Sequence, residues 1–212
     1  RHIFKAETIW EAAAKEGGKT LLVNWPVTWP LGGLKNGVQL SASLNPPFRY
    51  FYMPLWDIAS SAIFSTRKER CNQVPGRAVK IAFKPAMDWA YLPEPTEPPL
   101  EVKIEVPPTY AKGPTYQAVI VGSPGKGYEK IIISKTKDTR DAVAELTPGE
   151  RSRWLTETFT DKEGKFHKGR FYFHLVELSG ADHFKLYQSA INTAENITDP
   201  PELNDELIKT AG

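Results

Sequence analysis

The sequence has a single cysteine, Cys71, no long apolar run and almost balanced charge. One cysteine cannot form an intrachain disulfide or a multi-cysteine zinc or iron–sulfur site. No apolar run approaches the roughly 18 residues of a membrane helix, so we expect no membrane span within this stretch. The 27 Lys and Arg against 25 Asp and Glu leave a net charge of +2, which argues against nucleic acid as a partner. The compartment stays open.

Proline and aromatic residues are abundant instead, with 18 Pro, 10 Phe, 8 Tyr and 6 Trp in 212 residues. This composition favours a loop-rich β structure in which large rings supply much of the packing. The chain begins Arg1-His2-Ile3 without an initiator Met, and we interpret it as a segment of a longer protein.

The first 25 residues predict a helix followed by a strand. Apolar residues recur at the spacing of an amphipathic helix, at Ala6, Ile9, Trp10, Ala13 and Ala14. Gly17-Gly18 then suits a helix end. Residues 20–25 form an apolar run without alternation, which is typical of a strand covered on both faces. Together they make half of an α/β unit.

The middle of the chain predicts antiparallel strands. Residues 100–106 alternate between apolar and charged side chains, and residues 116–121 and 128–134 flank a Gly-rich loop as in a hairpin. Residues 77–83 predict a short strand, and residues 154–160, 169–178 and 183–191 predict a three-stranded meander. Residues 94–99 indicate either an extended connector or a packed surface strap.

The end of the chain predicts a helix over residues 199–212, where Asp199 can cap and two prolines suit the first turn. We therefore expect an α+β fold, mostly antiparallel β, in which a β-rich insertion or cap domain is flanked by short helical pieces of an α/β core. The expected parts are a helix–strand fragment at 1–30, the β-rich cap at 31–198 and a return helix at 199–212.

Few residues suggest chemistry by their spacing. The four histidines form no H-x-H or H-E-x-x-H pair, and Asp182-His183 is the one adjacent carboxylate and imidazole. The loop at 122–127 superficially resembles a phosphate loop, but Gly follows its Lys and a strand follows the loop, so a hairpin turn is the better interpretation. We assign no catalytic or metal-binding residue.

Four segments resemble one enzyme family. The segments T-I-W-E-A-A at 8–13 and G-K-T-L-L-V-N-W-P at 18–26 resemble the helix and strand of type I phosphodiesterase/nucleotide pyrophosphatase proteins, in the alkaline phosphatase superfamily. L-T-P-G-E-R-S-R-W at 146–154 is similar to a motif in the β-rich insertion of prokaryotic members, with Arg151 in place of a Trp. P-P-E-L-N-D-E-L at 200–207 resembles the helix that returns to the core. Val27 and Thr28 stand where the family has Gly and Ser.

The resemblance implies a parent phosphohydrolase with two divalent metal ions, usually zinc, and a Thr or Ser nucleophile that attacks phosphorus. The family's D-H-G motif is absent from this sequence, and none of its T-x-P triplets (28–30, 96–98 and 198–200) is assigned the role of the nucleophile, so we expect the chain alone to be inactive. It would be a non-catalytic cap that shapes substrate access, and its partner would be the remainder of the enzyme core.

Asn24, Trp25 and Trp29 are the candidate substrate-facing residues. Asn24 and Trp25 lie at the carboxyl end of the predicted strand, where open α/β sheets bind ligands, although a wall residue beneath the insertion would look the same. The alternative function is a free-standing β-rich module that binds carbohydrate or protein through the aromatic residues of 25–91.

Overall fold

The computed structural model describes residues 7–23, 34–40, 57–59, 61–69, 76–94, 97–106, 111–123, 125, 127–161, 163–192, 198–200, 202–203 and 206. Within them the chain is mostly antiparallel β-sheet with one short α-helix whose bounds are described, which confirms the expected β-rich α+β class.

The elements follow one another along the chain as short strands after an initial helix. The helix α1 spans Ile9–Lys15, and a 3-10 helix spans Thr139–Asp141. The strands are β1 Thr20–Val23, β2 Gly37–Leu40, β3 Asp57–Ala59, β4 Ser61–Ser65, β5 Gly76–Lys80, β6 Lys84–Pro85, β7 Leu100–Glu105, β8 Ala111–Lys112, β9 Thr115–Ser123, β10 Gly127–Ser134, β11 Ala142–Leu146, β12 Leu155–Asp161, β13 Phe166–Phe171, β14 Phe173–Gly180, β15 His183–Gln188, β16 Ile191–Asn192 and β17 Thr198–Asp199.

The chain divides into two compact units. The β unit is the continuous stretch Leu55–Thr193, and the terminal unit combines Arg1–Pro54 with Ala194–Gly212. The expected division into a core fragment, a β-rich cap domain and a return helix, with boundaries at residues 30 and 198, stays a prediction.

The terminal unit holds α1 and a three-stranded sheet. Thr8 and Glu11 form a capping box at the start of α1, in which the Thr8 amide donates to a Glu11 carboxylate oxygen at 2.7 Å, and Gly17 follows the helix at φ +78°. β1 pairs in parallel with β2, and β17 pairs antiparallel with β2. Asp199 lies in β17. Of the predicted return helix at 199–212, Leu203 and Glu206 are helical, whereas Asp199, Pro200 and Glu202 are not, so the predicted helix start at Asp199 is wrong.

Among its described residues, the β unit contains three sheets. One has the order β11-β10-β9-β7-β6, a second β3-β16-β13-β12-β8 and a third β14-β15-β4-β5, and only the β4–β5 pair is parallel. β9 and β10 pair antiparallel around the loop at 122–127, which confirms the predicted hairpin. The strands predicted near 77–83 and 100–106 are confirmed as β5 and β7.

The predicted meander is wrong at one point, because its middle strand is two strands. The chain leaves the β12–β13 sheet after Phe171 and enters the β14–β15 sheet at Phe173. Between them, the Tyr172 amide donates to the Ser189 hydroxyl at 3.0 Å. Phe171 and Phe173 are both fully buried, so the apolar alternation continues unbroken across the change of sheet and hides it from sequence reading.

Aromatic rings from several strands form the centre of the β unit. Tyr116 of β9 meets Phe173 edge to face at 5.6 Å, and Phe171 meets Phe173 at 5.4 Å and Phe159 at 6.3 Å. The Tyr116 hydroxyl donates to a Glu157 carboxylate oxygen at 3.0 Å. Burial above all, and then the charge of Glu157, raise the pKa of Tyr116 far above its usual range, so this hydroxyl remains a donor.

Gly169 of β13 allows this packing, and we expect Gly169→Ala to destabilise the chain. A Cβ at this position would lie 2.6 Å from the Ile191 Cγ2 and 2.8 Å from the Phe159 ring. We predict a loss of about 1–3 kcal/mol in the free energy of unfolding, measured by urea denaturation. In a double-mutant cycle, Ile191→Ala should relieve part of the clash, so the double variant should lose less than the sum of the single losses. Additive losses, or a Gly169→Ala chain as stable as the wild type, would contradict the close approach.

Candidate functional site

The predicted substrate-facing residues Asn24, Trp25 and Trp29 lie outside the described residues, so that site stays a prediction. The structure does describe the strand that leads to them. β1 ends at Val23, which pairs with Leu40 at the end of β2. Because the two strands are parallel, their carboxyl ends share one edge of the sheet, the kind of edge at which α/β sheets bind ligands.

The apolar residues of α1 and β1 are not covered as the sequence predicts. Leu21 is 66% exposed and Val23 is 51% exposed, while Thr20 and Leu22 on the other face of β1 are half-buried. In α1, Ile9 is 78% exposed. The prediction of a strand covered on both faces is therefore wrong for this chain taken alone, because one face of β1 meets solvent.

The segment at 146–154, which the resemblance singled out, forms a turn and leads into a surface cluster. The Glu150 amide donates to the Thr147 carbonyl at 3.0 Å, and Gly149 has φ +90°, as position three of a type II turn requires. The Glu150 carboxylate accepts from the Thr147 amide at 2.8 Å. That hydrogen bond, with a further one involving Thr147, holds the pKa of Glu150 below its usual range. The T-P-G-E residues thus form and stabilise a backbone turn.

The surface cluster that follows this turn combines aromatic rings with guanidinium groups. The Trp154 and Tyr172 rings meet edge to face at 5.1 Å. The Arg170 guanidinium lies 5.6 Å from the Trp154 ring centre, and that of Arg151 lies 5.2 Å from Tyr172. Tyr187 adds a ring 6.2 Å from Tyr172. We call these five residues the aromatic–arginine cluster; all three rings are partly exposed.

Sequence reasoning missed this cluster, because its members come from a turn, a sheet crossing and two strands. The signal that could have found it is the alternation in residues 151–153. Ser152 is buried, whereas Arg151 and Arg153 are exposed. Such a pattern places cations on one side of an extended segment.

Glu101, a buried carboxylate on β7, has the most strongly shifted pKa of the described carboxyl groups. Alternation predicts an exposed Glu101, but its side chain is only 4% exposed. The Trp89 indole donates to it at 2.7 Å, and the Lys137 and Lys84 ammonium groups lie within 2.9 Å and 3.2 Å. Burial by itself would raise the pKa of Glu101, but these three donors outweigh it and hold the pKa at about 2.

The Glu101 centre fastens a surface segment rather than forming an open site. Trp89 packs over Val119, Val121 and Ile132 on the outer face of the sheet. Lys137 also donates to the Met87 carbonyl at 3.0 Å. Glu101 therefore holds the stretch before β7 against the sheet. The proline-rich segment before β7 is also held against the sheet, because the Tyr128 hydroxyl donates to the Pro98 carbonyl at 2.8 Å. This contact is typical of a packed strap.

The described residues do not fit a two-metal centre. The Asp182 carboxylate lies 3.1 Å from Nδ1 of His183, but both side chains are exposed at the turn between β14 and β15. Within the part of the chain that the structure describes, no three His, Cys, Asp or Glu side chains are grouped as metal ligands would be. No step of phosphoryl transfer is therefore assigned to residues of this chain.

Four aromatic residues of 25–91, the region of the alternative binding module, are described, namely Phe64, Phe83, Trp89 and Tyr91. Trp89 is bonded to Glu101 and serves packing. Tyr91 is 64% exposed, with the Arg140 guanidinium 3.7 Å from its ring centre. Asp138 holds the same guanidinium at 2.6 Å. The other aromatic residues of 25–91 lie outside the described residues.

Comparison with protein-family models, with curated proteins and with solved structures found no match to this chain. Among the described residues, no helix is long and apolar enough to cross a membrane.

The Glu101 centre predicts a pH dependence of stability. The folded pKa of about 2 lies below the ordinary 4.5, so the ionised carboxylate stabilises the fold above pH 4.5 and this contribution is lost as the pH falls towards 2. We expect Glu101→Gln to have a lower free energy of unfolding than the wild type at pH 7. At about pH 3 this difference in free energy should be smaller by about 2 kcal/mol.

The matched control for this measurement is Glu145→Gln. Glu145 pairs with Lys130 at 3.3 Å but its side chain is 53% exposed, so its variant should differ little from the wild type at either pH. Urea denaturation at both pH values measures the two differences. A Glu101→Gln difference that stays constant with pH would exclude the proposed pKa.

Proposed function

We propose that this chain is a non-catalytic cap or insertion portion of a metal-dependent phosphodiesterase of the alkaline phosphatase superfamily, and that it shapes substrate access. The observation that carries the proposal is the exposed apolar face of β1. Burying one leucine side chain stabilises a fold by about 1.5–3 kcal/mol, so Leu21 and Val23 on one strand face favour a covering layer. The remainder of an α/β core would supply that layer.

The order of the two units supports an insertion. The β unit is one continuous stretch, and the terminal unit is built from the chain on either side of it. A β domain inserted into an α/β core would leave this arrangement, in which the chain departs from the core and returns to it. The parallel pairing of β1 with β2 is consistent with such a core, because parallel sheets are typical of α/β folds.

The positions of the resembling segments support the same proposal. Residues 8–13, 18–26 and 200–207 fall in the terminal unit, where the resemblance expects core pieces. Residues 146–154 fall in the β unit, where it expects the insertion. Each segment is short, so the support comes from the agreement of their order and location with those expected for a core and its insertion.

The catalytic groups would then belong to the remainder of the core. Two divalent cations there would activate the nucleophile and stabilise the charged phosphoryl oxygens. The β unit would contribute a rigid wall, because its three sheets share one aromatic core, and its side chains would restrict which substrates reach the cleft.

The reading frame that encodes this chain tests the proposal. We predict that it continues in both directions and encodes a T-x-P segment before residue 1 and a D-H-G segment after residue 212. The longer protein should hydrolyse bis-p-nitrophenyl phosphate with added zinc, and replacing the T-x-P threonine by alanine should reduce turnover by at least about 10³-fold. The 212-residue chain alone should give no turnover above a zinc blank.

Two results would contradict this account. A reading frame that stops close to residues 1 and 212 would mean that no larger enzyme contains this chain. Zinc-dependent turnover by the 212-residue chain would mean that it contains a catalytic centre of its own, and mass spectrometry of the purified chain would exclude a longer contaminant.

A further inference from the structure

The strand β1 has a backbone edge that points away from its partner β2. The Thr20 amide donates to the Asn36 carbonyl at 3.2 Å, at the start of the parallel β1–β2 pair. Along a strand, the amide and carbonyl groups of successive residues point alternately to the two sides. Because Thr20 bonds to β2, Leu22 faces β2 as well, and the backbone polar groups of Leu21 and Val23 face the opposite side. We call this opposite side the outer edge of β1.

The outer edge is unpaired among the described residues. Their three-stranded sheet has the order β1-β2-β17, so no described strand pairs with β1 on this side. Leu21 is 66% exposed and Val23 is 51% exposed, although both are apolar strand residues. An unpaired backbone edge with exposed apolar side chains is a template for pairing with a further strand.

Several other described sheet edges carry features that discourage such pairing. The edge strand β6 consists of Lys84 and Pro85, and the edge strand β14 has two shifts of register. β17, on the other side of the sheet that holds β1, is two residues long and is followed by Pro200. Short strands, lysine, proline and bulges all protect edges. Residues 20–23 are Thr-Leu-Leu-Val, without charge or proline, and their register with β2 is continuous, so β1 has the character of an inner strand.

The connection from α1 to β1 indicates which strand belongs at the outer edge. α1 ends at Lys15 and β1 begins at Thr20, and the Gly18 amide donates to the Ala13 carbonyl at 2.8 Å, which closes the helix end. So short a connection is typical of the second half of a β-α-β unit. In that unit the strand before the helix lies parallel to the strand after it, and consecutive strands are neighbours in about two thirds of cases. Because β2 occupies one side of β1, the outer edge is the side that is left.

The parallel pairing of β1 with β2 favours a strand of the same longer chain over a second copy of this one. Two copies related by a two-fold axis would bring their β1 strands together in antiparallel orientation. Parallel strands instead come from crossover connections within one chain, and purely parallel sheets are typical of cores with several strands.

We propose that the outer edge of β1 pairs in parallel with a strand that lies before α1 in the parent protein. This inference rests on the proposed function, because that strand belongs to the remainder of the core. The Leu21 and Val23 amides donate to carbonyl groups of the partner strand, and their carbonyls accept from its amides. The carboxyl ends of the two strands then lie side by side, at the kind of edge where α/β sheets bind ligands.

Amide hydrogen exchange, resolved to single residues, tests the pairing in the full translation product of the reading frame. In the 212-residue chain the Leu22 amide should be protected by β2, whereas the Leu21 and Val23 amides should exchange at about the rate of an unstructured chain. In the full translation product all three should be protected, so exchange at Leu21 and Val23 should slow by about 100-fold or more. Leu22 is the internal control.

Two variants of Leu21 identify the partner strand. Leu21→Pro removes the amide that faces the outer edge, and the control Leu21→Ala shortens the same side chain but keeps that amide. In the 212-residue chain both variants should leave the Leu22 amide protected, because proline is tolerated at an unpaired edge. In the full translation product Leu21→Pro should speed exchange by about tenfold or more in one segment before residue 1, whereas Leu21→Ala should not. That segment is the partner strand.

Three results would overturn the proposal. Leu21 and Val23 could exchange equally fast in both proteins, or the segment that Leu21→Pro affects could lie after residue 212. The third result is protection of both amides in the 212-residue chain itself, and protection that rises with protein concentration would assign the edge to a second copy.

Hydrolysis of bis-p-nitrophenyl phosphate separates these outcomes from the cap function. A full translation product that hydrolyses it without protection at Leu21 and Val23 keeps the cap function and excludes the strand pairing. A product that shows the protection without hydrolysis keeps the strand pairing and contradicts the cap function.

Discussion

The contact between Phe171 and Phe173 fixes both the interior and the exterior of the β unit. The two rings belong to different sheets and meet edge to face at 5.4 Å in the core. Because side chains alternate along an extended chain, Tyr172 between them must face away from that core. It then contacts Trp154 and Tyr187, so the packing that joins two sheets also positions the aromatic–arginine cluster. A slip of one residue would bury Tyr172 and expose both phenylalanines.

The same alternation governs where the charges of the β unit lie. Glu101 and Glu157 are carboxylates on strands, and each is held by one or two lysines together with a buried or half-buried ring donor. Their negative charge is compensated locally at the sheet surfaces.

Local patterns predicted most of the elements but not their assembly. Glycines and alternation placed α1, β7 and the β9–β10 hairpin, because caps, turns and half-exposed strands depend on neighbours in sequence. The sequence did not predict the change of sheet at Tyr172, because an uninterrupted alternation looks the same whether or not the strand changes sheet. Glu101 was expected at the surface, because its burial depends on Trp89 and Lys137, which lie 12 and 36 residues away. The aromatic–arginine cluster is assembled from four segments and has no local signature of its own.

The terminal unit raises the question of what covers Leu21 and Val23. The cap proposal answers it with the remainder of an α/β core, and the stability of Leu21→Asn tests that answer most directly. Val176→Asn is the matched control, because Val176 is a strand residue of the β unit that is 46% exposed. In the 212-residue chain both substitutions should change the free energy of unfolding by less than about 0.5 kcal/mol. In the full translation product Leu21→Asn should cost about 2 kcal/mol or more, while Val176→Asn remains without effect. Equal and small effects of Leu21→Asn in both proteins would contradict the account.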